Sequence, residues 1–153
     1  MPLSRLRLPF LAVALATLTV GGCDLALDPR DDISGYYDYA GDVYDSPGFS
    51  VNGQLDISRP YSYGSEIDLD WNFYEGSRRV LHVETTRAVP AEVDIDGALR
   101  FTVEGSLQLS DGSWTDFRLT HTGRREDHRS LRGTWRLTTD LPSDDSGTFS
   151  ARR

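Results

Sequence analysis

Residues 99–109 read Leu-Arg-Phe-Thr-Val-Glu-Gly-Ser-Leu-Gln-Leu, and apolar and polar positions alternate along the whole stretch, with Gly105 at an apolar position. A period of two places successive side chains on opposite faces of a β-strand. A strand with one apolar and one polar face is typical of an antiparallel sheet that covers a core on one side. Residues 67–73 and 131–137 alternate in the same way. The sequence therefore predicts an all-β protein.

Turn residues separate these stretches at short intervals. Asp96-Gly97 and Asp111-Gly112 are typical of type I′ hairpin turns, in which both central residues have positive φ. Pro90 predicts a bulge or an edge in the fourth strand, because proline cannot donate a ladder hydrogen bond. The alternation and the turns together predict about eight strands, at residues 34–44, 49–59, 65–75, 79–88 with a continuation at 92–95, 98–109, 114–123, 131–140 and 146–152.

The short links between these strands decide how the strands pair. Parallel neighbours need crossovers of a dozen or more residues, so consecutive strands should pair antiparallel as a meander. Such a meander can close into a small barrel or fold into a β-sandwich. Gly53, Gly105 and Gly133 occupy inward positions, where glycine permits the strong coiling of a small barrel. We therefore expect a barrel, with the sandwich as the alternative.

The chain begins with a short basic segment, an apolar run at residues 8–20, and the sequence Val20-Gly21-Gly22-Cys23. An apolar run of about 13 residues is too short for a transmembrane helix, which needs roughly 20, and suits a secretory signal peptide. The alternative is that this run is a membrane anchor or a buried helix. The segment resembles the lipobox of bacterial lipoproteins, in which an aliphatic residue and two small residues precede a cysteine.

This resemblance implies a set of boundaries. Residues 1–22 would form a signal helix that is cut off between Gly22 and Cys23, and Cys23 would carry the lipid. Residues 23–32 would be a tether, and residues 33–153 the β domain. Two or more acyl chains on Cys23 would give a stable membrane anchor. The implied location is the bacterial cell envelope, with the domain facing the periplasm or the exterior.

The composition limits the partners. The 131 residues that remain after the predicted cut carry a formal charge of −10, because the removed segment contains two arginines and no acid. A strongly acidic surface disfavours nucleic acid. Cys23 is the only cysteine, so the domain has no internal disulfide and relies on its core for stability. A chain of this length can bury a core sufficient for one domain.

The two ends of the β domain carry a second resemblance. The stretches 131–135 and 146–152, with the opening Ile33-Ser34-Gly35-Tyr36-Tyr37, are similar to the closing hairpin and first strand of small lipocalin-like or avidin-like barrels in bacterial lipoproteins. The resemblance implies an up-and-down barrel and no particular ligand. Tyr37 stands where the Gly-x-Trp motif of lipocalins has its tryptophan.

Two acidic pairs and three histidines are candidate metal ligands. Asp68 with Asp70, and Asp94 with Asp96, each place two carboxylates about 7 Å apart on one face of a strand, and carboxylate oxygens suit calcium. A solvated strand face and a hairpin turn explain these pairs more simply. The histidines are His82, His121 and His128, which are too widely spaced for a typical zinc site. Only His121 shares the inward parity of its strand. We therefore expect no metal and no cofactor.

The sequence also gives one candidate binding feature. Tyr61 and Tyr63 lie in a predicted loop beside Pro60 and Gly64 and could form a binding rim, since tyrosine gives a large contact area at low entropic cost. Packing of the loop over the barrel end is the alternative. No Gly-x-Ser-x-Gly elbow or other catalytic motif accompanies these residues, so we expect a protein that is not an enzyme.

Two functions from different classes follow as expectations. The first is an interaction module that binds an unknown envelope protein. The second is a lipocalin-like carrier of a small apolar ligand. Six large inward aromatic residues should fill the barrel and favour the first function: Trp71, Phe73, Phe101, Phe117, Trp135 and Phe149. A contiguous apolar cavity of roughly 300 Å³ or more, the lower limit for ligand pockets, would favour the carrier. An enzyme or a protease-inhibitor-like barrel is a third and less supported alternative.

Overall fold

The computed structural model of the protein describes residues 33–58, 64–94, 96–108, 111–141 and 144–153. This part of the chain is all β, and consecutive strands pair antiparallel. The strands are β1 (Gly35–Val43), β2 (Phe49–Ser58), β3 (Ser65–Glu75), β4 (Arg78–Glu84), β5 (Val89–Val93), β6 (Ala98–Gln108), β7 (Trp114–Asp127), β8 (Ser130–Thr139) and β9 (Asp145–Arg152). None of the described residues forms a helix with the length and apolar character needed to cross a bilayer.

The meander closes into a barrel through the pairing of its first and last strands. β9 pairs with β1 from Asp38↔Arg152 to Val43↔Gly147. Because the other pairings follow the order β1-β2-β3-β5-β6-β7-β8-β9, the sheet returns to its start. This closure confirms the predicted barrel and excludes the sandwich, whose two sheets would keep free edges.

Two short strands, β4 and β5, share one strand position beside β3, so the nine strands form an eight-stranded barrel. β4 pairs with β3 from Asp70 to Glu75, and β5 pairs with β3 from Ser65 to Ile67. Thr85 ends β4, because its hydroxyl oxygen accepts the Leu69 N–H at 2.9 Å, where a backbone carbonyl would continue the ladder. The prediction of an interruption at Pro90 was therefore wrong in position. The break lies at residues 85–88, and Pro90 is inside β5.

This break leaves an opening in the barrel wall. β5 pairs with β6 only from Leu99 to Phe101, so residues 102–108 of β6 pair with β7 alone. β4 pairs with β3 alone. The Cα atoms of β4 and β6 stay more than 8 Å apart along nearly all of their length, whereas paired strands lie about 4.8 Å apart. We call the space between β4 and residues 102–108 the lateral gap.

Inward-facing side chains fill the body of the barrel. Trp71, Trp135, Phe149 and nine other large side chains are less than 2% exposed. The predicted inward parity of the six aromatic residues is confirmed, because all six are buried. Their strands coil tightly where glycine replaces a side chain: a Cβ at Gly53 would lie 1.8 Å from the Asp70 carbonyl oxygen, and one at Gly133 would lie 2.2 Å from that of Thr122. These two glycines let neighbouring backbones approach as the predicted coiling requires.

The end of β7 and two hairpin turns differ from the prediction. β7 continues to Asp127 instead of ending at residue 123, because Arg124 and Arg125 pair with Arg132 and Leu131, and only residues 128–129 connect β7 to β8. The hairpins at Asp96-Gly97 and Asp111-Gly112 are present, but only the glycines have positive φ. Type I′ turns need positive φ at both central residues, so that turn type was predicted wrongly. The observed links, residues 94–97 and 109–113, are longer than two residues.

Candidate functional site

The two ends of the barrel differ in how they are covered. At one end, which we call the closed end, lie Ile33, the β7–β8 turn and the C-terminal Arg153. The Tyr37 hydroxyl donates a hydrogen bond to the Ile33 carbonyl at 2.7 Å, and Ile33 is completely buried. The Arg153 guanidinium donates to the carbonyls of Ser34 at 2.6 Å and His128 at 2.9 Å. Arg153 thus links Ser34, just before β1, to the β7–β8 turn and covers this end.

The opposite end holds a cavity of about 500 Å³. We call this end, where the hairpins β1–β2, β3–β4, β6–β7 and β8–β9 lie, the open end, and the cavity is bordered by the last three of these hairpins. Leu81, Leu107 and Leu137 form its apolar wall, and Thr115 and Thr139 lie beside them. The wall is apolar because these positions continue the inward parity of β4, β6, β7 and β8. Polar side chains of Arg78, Arg79 and Asp145 complete the lining.

A layer of aromatic rings lies at the next inward positions from this cavity. Phe73 pairs with Leu81 in the β3–β4 ladder, and it meets Trp135 edge to face with ring centroids 6.1 Å apart. Trp71 in turn meets Trp135 at 5.4 Å. Edge-to-face pairs at these distances are favourable aromatic geometry. The layer separates the open cavity from the filled body of the barrel.

A tyrosine–histidine pair is buried in that body. The Tyr39 hydroxyl lies 3.0 Å from His121 Nε2, and the His121 ring stacks on Phe101 with centroids 4.5 Å apart. Burial lowers the pKa of His121 from 6.5 to about 3, because the apolar surroundings cannot solvate the imidazolium. Burial also raises the pKa of Tyr39 far above its usual range. Both rings are therefore neutral at physiological pH, and the inward position predicted for His121 is confirmed.

Three ring nitrogens in this buried region, one of them in His121 itself, lack a normal hydrogen bond. His121 Nδ1 and Trp135 Nε1 have no hydrogen-bond partner among the described residues, and Trp71 Nε1 makes no bond of normal geometry. The Trp71 indole is close enough to the Tyr39 hydroxyl to oppose part of the rise in that pKa. These nitrogens belong to fully buried rings and do not line the cavity.

Exposed apolar side chains surround the open end. Tyr44, Val80, Trp114 and Leu141 are four of the five large apolar side chains that are exposed in the described part of the chain. Trp114 is the largest of them and is 67% exposed. The fifth, Tyr36, points outward from β1 near the closed end. Clustering of exposed apolar surface around one opening is typical of a binding site.

The charges at this rim are only partly paired. Arg78 forms an ion pair with Glu75. Arg79 Nη1 donates to the Asn72 side-chain oxygen at 3.2 Å, and no carboxylate of the described residues pairs with it. Burial raises the pKa of Asp145, and the neighbouring Asp144 raises it further. The rim therefore offers one guanidinium and one partly desolvated carboxyl group to a polar group in the cavity.

The site residues predicted from sequence, Tyr61, Tyr63, Gly22 and Cys23, fall outside the described residues. The strands that flank the two tyrosines, β2 ending at Ser58 and β3 beginning at Ser65, meet at the closed end. The sequence analysis overlooked Trp114 and Leu141. In the sequence, both residues are recognisable as large apolar residues directly beside a predicted turn.

The acidic pairs have structural surroundings. Asp70 Oδ1 lies 3.1 Å from His82 Nε2 on the outer surface, and Asp68 is near the Thr85 hydroxyl. Asp94 Oδ1 accepts the backbone N–H groups of Asp96 and Ala98, which shapes the β5–β6 turn. Within the part of the chain that the structure describes, no group of three or more His, Cys, Asp or Glu side chains could hold a metal ion.

Comparison with known proteins gives similarity of fold alone. No protein-family model and no curated protein matches the sequence. Among solved structures, the redesigned β-barrel mFAP1 bound to DFHBI covers 82% of this chain and 99% of its own, with 14% identity and a TM-score of 0.53. The barrel EF1p2_mFAP2b bound to DFHBI covers 82% and 97%, with 10% identity and a TM-score of 0.57. A de novo designed fluorescence-activating β-barrel covers 83% and 99%, with 17% identity and a TM-score of 0.51.

Proposed function

We propose that the protein is a non-enzymatic, lipid-anchored envelope protein whose barrel binds a small amphipathic molecule at its open end. The observation that carries this proposal is the cavity of about 500 Å³ with its leucine wall. Its volume exceeds the roughly 300 Å³ at which ligand pockets begin. The expected filling of the barrel by aromatic residues holds in the body and leaves this end free, so the carrier is better supported than the interaction module.

The lining defines the chemistry of the ligand. Leu81, Leu107 and Leu137 would contact an apolar part, and burial of that part would supply about 25 cal/mol per Å². Arg79 and Asp145 at the rim would face a polar end. An amphipathic molecule of modest size satisfies both halves of the site. Barrels of similar fold, mFAP1 and EF1p2_mFAP2b, are described as bound to the small molecule DFHBI, which supports the fold's suitability for such a role.

The buried histidine argues for binding rather than catalysis. General acid–base catalysis needs a group within hydrogen-bond reach of the substrate. His121 is completely buried and lies beneath the aromatic layer, while His82 and His128 lie on outer surfaces. None of the described histidines lines the cavity. We therefore propose that the cavity binds its ligand without transforming it.

The position of Ile33, ten residues after Cys23, is compatible with a lipid anchor. Ile33, the first described residue, is at the closed end, opposite the cavity. Residues 23–32 can span at most about 33 Å. A lipid on Cys23 would therefore keep the closed end near the membrane, and the cavity would open away from it.

Dye binding tests the cavity. We expect 8-anilinonaphthalene-1-sulfonate, a small amphipathic probe, to bind with micromolar affinity and enhanced fluorescence. Leu107→Asp, which places a charge in the apolar wall, should weaken binding at least tenfold, because a buried unpaired charge is costly. Tyr36→Ala, which removes an exposed aromatic residue at the other end, is the matched control. Equal affinity of the Leu107→Asp variant and the wild type, with both proteins folded, would contradict the proposal.

Lipid labelling tests the anchor separately. Cells fed radiolabelled palmitate should label the wild-type protein, and Cys23→Ala should abolish labelling and leave uncut precursor. Normal labelling of the variant would exclude a lipid on Cys23. The two experiments are independent, since the dye reports on the barrel and the palmitate on the N-terminal segment.

A further inference from the structure

The lateral gap presents two unpaired strand edges that face each other. β4 has no strand on the side away from β3, and residues 102–108 of β6 have none on the side away from β7, within the described residues. A closed barrel normally removes such edges, because unpaired N–H and C=O groups are a template for another strand.

The hydrogen bonds around the β5–β6 turn show which backbone groups of β6 face the gap. The Ala98 carbonyl accepts the Asp94 N–H on the β5 side, and the Gly97 carbonyl accepts the Arg125 N–H on the β7 side. Alternate residues of a strand direct their backbone groups to the same side. The N–H and C=O groups of Glu104 and Ser106 therefore point into the gap.

The same reasoning applies to β4. The Thr85 N–H donates to the Leu69 carbonyl of β3. Alternation then directs the backbone groups of Val83 toward β3, and those of His82 and Glu84 into the gap. Both margins thus carry donors and acceptors at intervals of two residues, a spacing that only another extended backbone matches.

The gap also has a side-chain preference. On the inner face of its two margins, Leu81 and Val83 of β4 and Val103 and Leu107 of β6 are all apolar. On its outer face, Arg79 has no carboxylate partner among the described residues. A strand that alternates apolar and polar residues, with an acidic residue beside Arg79, would complement both faces.

We propose that the lateral gap binds an extended segment of a partner protein, which adds a strand between β6 and β4. One inserted strand needs about 9.6 Å between its two neighbours, twice the usual strand spacing. The Cα atoms of β4 and β6 stay more than 8 Å apart along nearly all of their length, and no ladder joins them directly. The segment would run antiparallel to β6, which offers the longer edge, and parallel to β4, which itself runs antiparallel to β6. Main-chain hydrogen bonds would supply affinity, and the alternating side chains specificity. This proposal does not rest on the ligand proposed for the cavity, but the inserted strand would share Leu81, Leu107 and Arg79 with that ligand.

Hydrogen exchange with a synthetic peptide tests this inference. The probe is an eight-residue peptide that alternates valine with threonine and carries one glutamate to face Arg79. At about 1 mM peptide, enough to populate a weak complex, the amides of Glu104 and Ser106 should exchange about tenfold more slowly. The amide of Val103, which faces β7, should change little. Unchanged exchange at both gap-facing amides would overturn the proposal.

A matched pair of variants sharpens the test. Ser106→Pro removes a gap-facing N–H, and Ser106→Ala keeps it, while both lose the Ser106 hydroxyl's hydrogen bond to Asp116. We expect the proline variant to bind the peptide about tenfold more weakly than the alanine variant, as for one lost hydrogen bond. Equal binding by two folded variants would contradict strand addition. Protection of the same amides that rises with protein concentration without peptide would assign the gap to a second copy of this chain and overturn the assignment to a partner.

Discussion

The closed and open ends of the barrel are built from the same alternating strands, yet their inward positions are covered differently. At the closed end, Leu131 and Ala151 are at most 1% exposed. At the open end, Leu81 and Leu107 are only partly buried and border a cavity of about 500 Å³. Inward parity therefore selects which side chains face the interior, and the neighbouring elements decide whether those side chains are packed. A binding site can exist at the end where this packing stops.

The difference has two physical causes. Arg153 and the segment at Ile33 cover the closed end with charge-assisted hydrogen bonds and an apolar plug. Toward the open end, β4 pairs with β3 alone and residues 102–108 of β6 pair with β7 alone, so the wall stays open beside the cavity. The following predictions test this contrast in order of decreasing effect.

The largest effect should come from the filled body. Trp135→Ala should lower the free energy of unfolding by about 3–5 kcal/mol, because it removes a fully buried indole from the aromatic layer. Leu107→Ala at the open end should cost about 1 kcal/mol, since that side chain is only partly buried. Urea denaturation measures both, with the outward-facing Arg136→Ala as surface control. Similar costs for Trp135→Ala and Leu107→Ala would remove the distinction between the two regions.

The buried histidine should make stability depend on pH. His121 has a pKa of about 3 in the folded protein and about 6.5 when unfolded, so the unfolded state binds the extra proton as pH falls below 6.5. The stabilisation that depends on neutral His121 is therefore fully present above pH 6.5, and the free energy of unfolding should fall by about 2 kcal/mol by pH 5. His121→Leu should remove this dependence, whereas His128→Gln, in the exposed turn, should keep it. Urea denaturation at several pH values measures this dependence. If the free energy of unfolding of His121→Leu depended on pH as in the wild type, the effect would not come from His121.

The clamp at the closed end should have a smaller effect. Arg153→Ala removes the hydrogen bonds to the Ser34 and His128 carbonyls and the guanidinium over the Tyr37 ring, and should cost about 1 kcal/mol. It should also speed amide exchange near Ile33 and leave exchange around the cavity unchanged. If exchange increased equally at both ends, Arg153 would not be a local clamp.

The smallest effect on stability should come from the exposed rim. Trp114→Ser should change the free energy of unfolding by no more than about 0.5 kcal/mol, because the indole is mostly in solvent. If the rim contributes to binding, the same substitution should still weaken dye binding. A large loss of stability would show that Trp114 supports the fold instead of the site.

Sequence reasoning predicted most of the fold because alternation is a local property. The strands at residues 65–75 and 98–108 were located to within one residue, and the inward position of His121 followed from Phe117 and Leu119 four and two residues before it. It failed where side chains compete with the backbone. Thr85, not Pro90, ends β4, because a hydroxyl replaces a ladder acceptor, and no local pattern distinguishes that threonine from others.

The candidate site could not be predicted in the same way. Leu81, Leu107 and Leu137 look like core residues in the sequence, and they border a cavity only because no element covers the open end within the described part of the chain. The sequence by itself determined an acidic, all-β chain with short antiparallel links and the inward set of each strand, since these depend on residue type and spacing. Only the tertiary structure decided that the meander closes, which end is covered, and that two strand edges remain unpaired, because each depends on contacts between residues far apart in the chain.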